Sequence, residues 1–305
     1  MSAALIAIDW GTTTARAYRL DRHGRILDRK SAPLGVQKVA AGGFPDALRL
    51  LLDGDSDDVP RIACGMIGSR QGWIEAPYRE CPAGFAVIAT ALTPVPGVRL
   101  SIVPGLVCRD AAGVPDVMRG EETQIIGALD DLEARDGARG VVVLPGTHSK
   151  WALVDAHGIE TFATFMTGEL YGLLLEHSIL GRIAAPGNDA AALEEGVKRS
   201  LGADASLSHD LFSTRTLALT STLAPEAVGD YLSGLLLGAE LAAGRRWLER
   251  HAVKEEPVTL VGDAPLCERY RRALAIADID AMIGSPDAAA RGLWRIAQRA
   301  GMVSA

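Results

Sequence analysis

Hydrophobic positions recur along this chain on two periods, one suited to strands and one to helices. Residues 4–10 are apolar except for Asp9, as in a strand buried on both faces, and 14–20 alternate as a second strand. "DRHG" (21–24) is a turn and 25–31 a third strand, so the chain opens on a β-meander. Helical spacing first appears at 45–53. "RIACGMIGS" (61–69) predicts a strand running into a glycine loop, and "RLSIVPGLV" (99–107) a strand ending in a Pro-Gly turn. "GEETQIIGALDDLEAR" (120–135) predicts an amphipathic helix with Ile125, Ile126, Leu129 and Leu132 on one face. Its two acids fall in the first turn, where the helix dipole favours them. Residues 140–158 again read strand, turn, strand, turn. A helix over 167–180, a polar linker around "AAPGNDAA", and a long helix over 225–251 that Pro225 can begin come next. A strand, glycine turn and helix over 257–274, a short strand (278–283) and a helix (288–300) complete the pattern. Hairpins mixed with helical connections imply an α/β fold, with mixed sheets flanked by helices.

Composition narrows the function. With 305 residues, 48% of them hydrophobic, the chain can form two globular domains, each with its own core. A formal charge of -7 and the lack of a basic stripe argue against a nucleic-acid partner, although a local basic pocket could still hold an anion. Cys64, Cys81, Cys108 and Cys267 form no CxxC or Cys/His pattern, as in reduced thiols. The opening "MSAALIAIDWG" lacks a leader's basic region, and every apolar run is shorter than a membrane span. The expectation is a cytoplasmic protein with no membrane partner. Apolar faces within 225–251 could support a homodimer or a second core.

An internal repeat sharpens this picture. "IAIDWGTTTARAYRLDRHGRI" and "VVVLPGTHSKWALVDAHGIE" both run from an apolar strand through Gly-Thr and a hydroxyl-rich turn into a second strand. Gly11 precedes His23 by twelve residues and Gly146 precedes His157 by eleven. Hairpins share turn residues by coincidence; the alternative is two similar domains, each opening with such a hairpin. Backbone N–H groups and hydroxyls in these turns can surround phosphate oxygens, so two of them could hold a triphosphate. Two positions before the glycine the copies differ, Asp9 against Leu144. One carboxylate suffices to help hold Mg²⁺ through water. Lys150 could offset phosphate charge.

The segments "AIDWGTT", "GMIGSRQGW", "APY", "VMRGEETQ", "PGTHSKW", "MTGEL" and "LSGLLLGAE" resemble the 2-dehydro-3-deoxygalactonokinase family, within the superfamily of sugar kinases, heat-shock chaperones and actin. The resemblance runs from Asp9 to about Glu240. It implies two ribonuclease-H-like (actin-like ATPase) domains around an ATP cleft: 1–119 for the sugar, with 287–305 packing back, and 120–286 for the nucleotide. It implies transfer of the ATP γ-phosphate to the 6-hydroxyl of 2-dehydro-3-deoxy-D-galactonate, in D-galactonate and galactose breakdown. Alternatives are a kinase for 2-dehydro-3-deoxygluconate, gluconate, a pentulose or an N-acetylhexosamine, or a sugar-independent nucleotide or polyphosphate hydrolase.

Under that resemblance Asp9, through water-bound Mg²⁺, and Gly11, Thr12, Thr13 and Thr14 form the first phosphate motif. Gly146, Thr147, His148, Ser149 and Lys150 form the second, and Gly262 and Asp263 stand where the superfamily contacts adenosine. A carboxylate must accept the substrate hydroxyl proton; Glu121 is preferred, with Asp116 and Glu122 as alternatives. Arginine suits a sugar acid through its paired donors, which singles out Arg70 and Arg119. Trp73 and Tyr78 either wall the sugar or belong to the core. The backbone around Gly65, Met66, Gly68 and Ser69 is expected to line the same pocket, and Glu169 is a further polar candidate.

Overall fold

The structure is a computed structural model that describes residues 2–53, 58–133, 139–253 and 256–304, without the side chains of 130–133. Leu132, Ala134 and Arg135, assigned above to a helix, lie outside the described side chains or residues. The chain forms two compact units. One comprises Met1–Arg139, Leu153–Phe162 and Ser285–Ala305; the other comprises Gly140–Ala152 and Ala163–Gly284.

In the first unit, strands β1 (Leu5–Trp10), β2 (Ala15–Leu20) and β3 (Ile26–Ala32) form the expected antiparallel meander. Helix α1 (Phe44–Leu52) leads to β4 (Arg61–Gly65), which lies parallel to β1. After β5 (Arg79–Glu80), β6 (Ala83–Gly84) and α2 (Phe85–Thr90) come β7 (Thr93–Pro94), β8 (Leu100–Ile102), β9 (Leu106–Arg109), β10 (Pro115–Met118) and α3 (Glu121–Glu133). The main sheet runs β3-β2-β1-β4-β8-β7, and β10-β9-β5 form a small second sheet. Strand β1 is sealed because Ile6, Ile8 and Trp10 pack with Phe44, Leu48 and Leu51 of α1. The single strand expected over 99–107 is two. The Val103 N–H still reaches the Ala63 carbonyl of β4 at 2.8 Å; Pro104, which has no N–H to donate, follows, and β9 joins the other sheet.

The second unit's sheet is entered by β11 (Gly140–Leu144), β12 (Ser149–Asp155) and β13 (Gly158–Phe165), of which the stretch Leu153–Phe162 counts with the first unit; α4 (Thr167–His177), α5 (Ala190–Leu201), α6 (Leu207–Leu219) and α7 (Val228–Arg250) follow. Then follow β14 (Val258–Leu260), α8 (Ala264–Ile276) and β15 (Ala281–Ile283); α9 (Ala288–Arg299) returns to the first unit. The expected linker near 184–191 leads directly into α5, whose N-cap Asp189 accepts the Ala192 N–H at 3.0 Å. Pro225 opens a 3₁₀ turn, Pro225–Ala227, just ahead of α7. Leu232, Leu235, Leu236 and Leu241 of α7 are buried within this unit, which removes the reason for assigning its apolar faces to a dimer.

The repeat extends beyond the hairpins. The order β3-β2-β1-β4-β8 in one unit is matched by β13-β12-β11-β14-β15 in the other, with β1 parallel to β4 and β11 parallel to β14. Trp10 pairs with Gly65, and in the corresponding place Gly262 lies beside Pro145.

Helix α3 is fixed by α9, which also packs on β1. A methyl group added at Gly127 would lie 1.9 Å from the Ala288 carbonyl oxygen, and one at Gly292 would lie 1.9 Å from that of Thr123. The backbones therefore touch where they cross. Gly292→Ala is expected to destabilise the protein by about 2 kcal/mol or more, as overpacked cores do. The measurement is the denaturation midpoint in urea; an unchanged midpoint would mean that the helices do not cross at this distance.

Candidate active site

An acidic corner forms at the carboxyl ends of β1 and β4. Asp9 ends β1 with its side chain only 13% exposed, and the Arg16 guanidinium donates to Oδ2 at 3.3 Å. Burial raises the Asp9 pKa against the lowering pull of Arg16, and Glu121 raises it further. Opposite, Gly65 takes φ +92, and a methyl group there would lie 2.7 Å from the Trp10 carbonyl oxygen. The next approach is equally close: a methyl group on Gly120 would be 3.0 Å from the Gly65 Cα. These contacts bring the start of α3 against the strand ends.

At that start, Glu121 accepts the Arg119 N–H at 2.9 Å. Glu122 accepts the Gly120 N–H at 2.6 Å and the Thr123 hydroxyl at 3.1 Å. Glu122 is fully buried, and burial, then Glu121, push its pKa up to about 7. Cys64, beside Asp9 and Glu122, is raised well above an ordinary thiol, mainly by burial. Asp116 is elsewhere. It lies on β10 opposite Cys108 and accepts the Val117 N–H at 2.8 Å. Asp9, Glu121 and Glu122 are thus gathered, and Asp116 is not among them.

The turn at 11–14 is clamped from behind. Gly35, Val36 and Gln37 donate their N–H groups to the carbonyls of Thr13 (3.1 Å), Gly11 (3.0 Å) and Thr12 (3.1 Å). A side chain at Gly35 would lie 2.3 Å from the Thr13 backbone. Among the described residues, no backbone carbonyl accepts the N–H of Thr12 or Thr13, and both residues are exposed.

The segment after β4 sorts the sugar candidates. Met66 and Gly68 belong to a 3₁₀ turn, and the Ser69 hydroxyl is buried without a partner. Arg70 is 88% exposed and pairs with Glu75 at 3.7 Å. Trp73 stacks on Phe44 at 5.8 Å and 13°, in the core. Arg119 lies 4.3 Å above the Tyr78 ring and donates Nη2 to the Ala76 carbonyl at 2.8 Å, while its buried Nε and Nη1 have no hydrogen-bond partner.

In the second unit only Thr147 and His148 of the turn are exposed. The next two residues are turned away from solvent. The Ser149 hydroxyl points inward and donates to Glu240 at 2.7 Å, and Lys150 is buried with Nζ donating to the Thr164 hydroxyl at 2.8 Å. These side chains point to opposite faces of β12, and that strand is buried on both. Glu169, expected near the sugar, instead touches the His148 ring, and its N–H binds the Thr147 carbonyl at 3.0 Å. Gly262 has φ +149, and Asp263 is exposed ahead of α8. Near it a cavity of about 300 Å³ is lined by Asn188, Leu193, Asp230, Pro265, Arg269 and Arg272.

Sequence reasoning missed Arg16, the clamp 35–37, and Glu240 with Tyr270. Only Gly35, a glycine between apolar residues, left a local signal.

Known proteins are similar to this chain in fold and in sequence. The activator of 2-hydroxyisocaproyl-CoA dehydratase from Clostridium difficile, solved with ADPNP bound, superimposes with a TM-score of 0.52 over 97% of this chain and 95% of that one, at 11% identity. The two proteins therefore share a fold. A crystal structure from Sinorhizobium meliloti, described provisionally as a 2-dehydro-3-deoxygalactonokinase, matches with a TM-score of 0.87 and 35% identity, covering 96% of this chain and 98% of that one. An Escherichia coli K12 protein named 2-dehydro-3-deoxygalactonokinase is 39% identical, over 93% of this chain and 94% of its own. The model of the 2-keto-3-deoxy-galactonokinase family matches residues 9–296, and the chain belongs to that family.

The raised Glu122 pKa has a measurable sign. Between the ordinary 4.5 and about 7 the folded protein holds more protons than the unfolded chain, so stability falls as pH rises through that window. The loss is on the order of 3 kcal/mol. Glu122→Gln, which imitates the protonated acid, should flatten the decline and be more stable than wild type at pH 8 without nucleotide or metal. Urea midpoints at pH 5 and pH 8 test this; parallel pH profiles for the two proteins would refute it.

Proposed function

We propose that the protein transfers the γ-phosphoryl group of ATP to the 6-hydroxyl of 2-dehydro-3-deoxy-D-galactonate. The observation that carries this reading is the acidic corner of Asp9, Glu121 and Glu122, in a chain of the 2-keto-3-deoxy-galactonokinase family. Glu121 is the proposed base. It is partly accessible and electrostatically coupled to Asp9, whereas fully buried Glu122 cannot touch a substrate. Glu121 would accept the hydroxyl proton as the oxygen attacks phosphorus in line.

The N–H groups and hydroxyls of Thr12 and Thr13 in the first unit are proposed to meet phosphate oxygens; in the second unit, taken by itself, the Thr147 hydroxyl and the N–H groups of Thr147 and His148 are proposed for the same role. The exposed backbone at Gly262 and Asp263 suits the ribose, and the cavity beside Asn188 and Pro265 suits the base. A magnesium ion fits this corner. Asp9 and Glu121 offer hard oxygens, and no group of three or more metal-ligating side chains exists among the described residues. Such sparse protein ligation is what magnesium takes when phosphates and water complete its shell. Asp9 would hold it, and the ion would neutralise charge on the phosphates.

For the sugar acid, Arg119 is the proposed carboxylate partner. Tyr78 and Ala76 hold it in place, and two of its nitrogens have no other hydrogen bond. The proposed compartment is the cytoplasm, which supplies ATP and keeps thiols reduced, in line with four free cysteines.

The direct test is ADP release coupled to product detection, with ATP and magnesium saturating. Turnover should require the sugar acid; no activity above background, or equal turnover without sugar, would sink the reading. Glu121→Gln should lower kcat by about 10²–10⁴-fold, as loss of a general base does, while Asp116→Asn stays near wild type. Arg119→Lys, which loses the paired donors, should raise KM for the sugar acid about tenfold and leave KM for ATP unchanged.

A further inference from the structure

Glu240 is a buried carboxylate that the phosphoryl-transfer reading leaves without a role. It lies on α7, 4% exposed. One carboxylate oxygen accepts the Ser149 hydroxyl at 2.7 Å and the Trp151 indole N–H at 2.8 Å. The other accepts the Tyr270 hydroxyl at 2.8 Å, and the Thr167 hydroxyl is a fourth partner. An indole N–H can only donate, so the carboxylate must accept there. Burying a carboxylate is unfavourable unless both oxygens are satisfied, and an apolar side chain would fill the same volume without that cost. What the carboxylate adds is direction.

Its partners surround the turn at 146–149. Ser149 and Trp151 are on β12, where the chain leaves the turn. Thr167 opens α4, whose next two residues brace the turn. A methyl group at Gly168 would lie 2.4 Å from the Gly146 carbonyl oxygen, and the Glu169 N–H binds the Thr147 carbonyl at 3.0 Å. Tyr270 comes from α8, the helix that follows Gly262 and Asp263. A single carboxylate therefore ties the exit of the turn to the helix behind it and to the helix after the adenosine-type segment.

We propose that Glu240 is a positioning residue for the nucleotide, holding the backbone of residues 146–149 in its anion-binding shape. This rests on the reading that the turn binds ATP phosphates. Losing Glu240 weakens ATP binding and spares the sugar acid.

The test is steady-state kinetics on the full chain, varying each substrate with the other saturating, for Glu240→Gln, Ser149→Ala and the double variant. Glu240→Gln replaces an acceptor by an NH₂ group facing donors. It should raise KM for ATP about tenfold or more, the weight of a hydrogen bond to a charged group. KM for the sugar acid should stay within about twofold. Ser149→Ala should raise KM for ATP less, and add little in the double variant because both act through one tie. An unchanged KM for ATP, an equal rise in both KM values, or additive losses would each overturn the proposal; additivity would mean that Ser149 acts on phosphate directly. If Glu240→Gln does not fold, Ser149→Ala decides by the same split between substrates. Wild-type protein with no sugar-dependent ATP turnover would instead sink the functional reading, whereas active wild type with unshifted variants sinks only the role of Glu240.

Discussion

At the end of β4 the backbone passes so near the Trp10 carbonyl that no side chain fits, and Gly65 turns there with φ +92. Much of the first unit follows from that approach. Because Gly65 is bare, Gly120 can rest on it, and because Gly120 rests on it, α3 starts at the strand ends rather than above them. Glu121 and Glu122 then have no option but to share a corner with Asp9. In the second unit the corresponding pair, Gly262 and Pro145, is looser at 3.5 Å. Leu144 stands there where the first copy has Asp9.

Three acids in one corner repel one another, and the corner tolerates them for separate reasons. Arg16 offsets Asp9, the backbone N–H groups at the start of α3 receive Glu121 and Glu122, and burial keeps Glu122 largely protonated below about pH 7. Below about pH 7 Glu122 therefore adds little charge to the corner. A protonated Glu122 still accepts the Gly120 N–H, so it shapes the helix start without adding to the field that an incoming phosphate must meet.

Features set by local chemistry were legible in the sequence. The meander of β1 to β3 follows from alternation and from the "DRHG" turn, and the repeat was visible in its Gly-Thr turns. Sheet order extended the repeat to strands whose sequences are unlike. Three helices, α2, α5 and α6, escaped notice. The Asp189 cap was readable, but α6 buries only Asp210 and Thr214, so no apolar stripe marks it. Asp9 stood out by its contrast with Leu144 in the repeat, and Glu121 through the family resemblance of the segment that holds it. The inward turn of Ser149 and Lys150, and the choice of Glu240 as partner, depend on packing between elements some ninety residues apart (|i−j| = 91 for Ser149 and Glu240).

The crossing of α3 and α9 also sets an order of events. The first unit begins the chain, yet the helix that braces α3 lies beyond the whole of the second unit. On a ribosome the stretch between Glu133 and Ala288 takes on the order of ten seconds to appear. Over that interval β14, α8 and the turn at 146–149 can fold together, while the acidic corner waits for its support. The acidic corner is thus locked only once α9 has been made, although Asp9, Glu121 and Glu122 are made well before it.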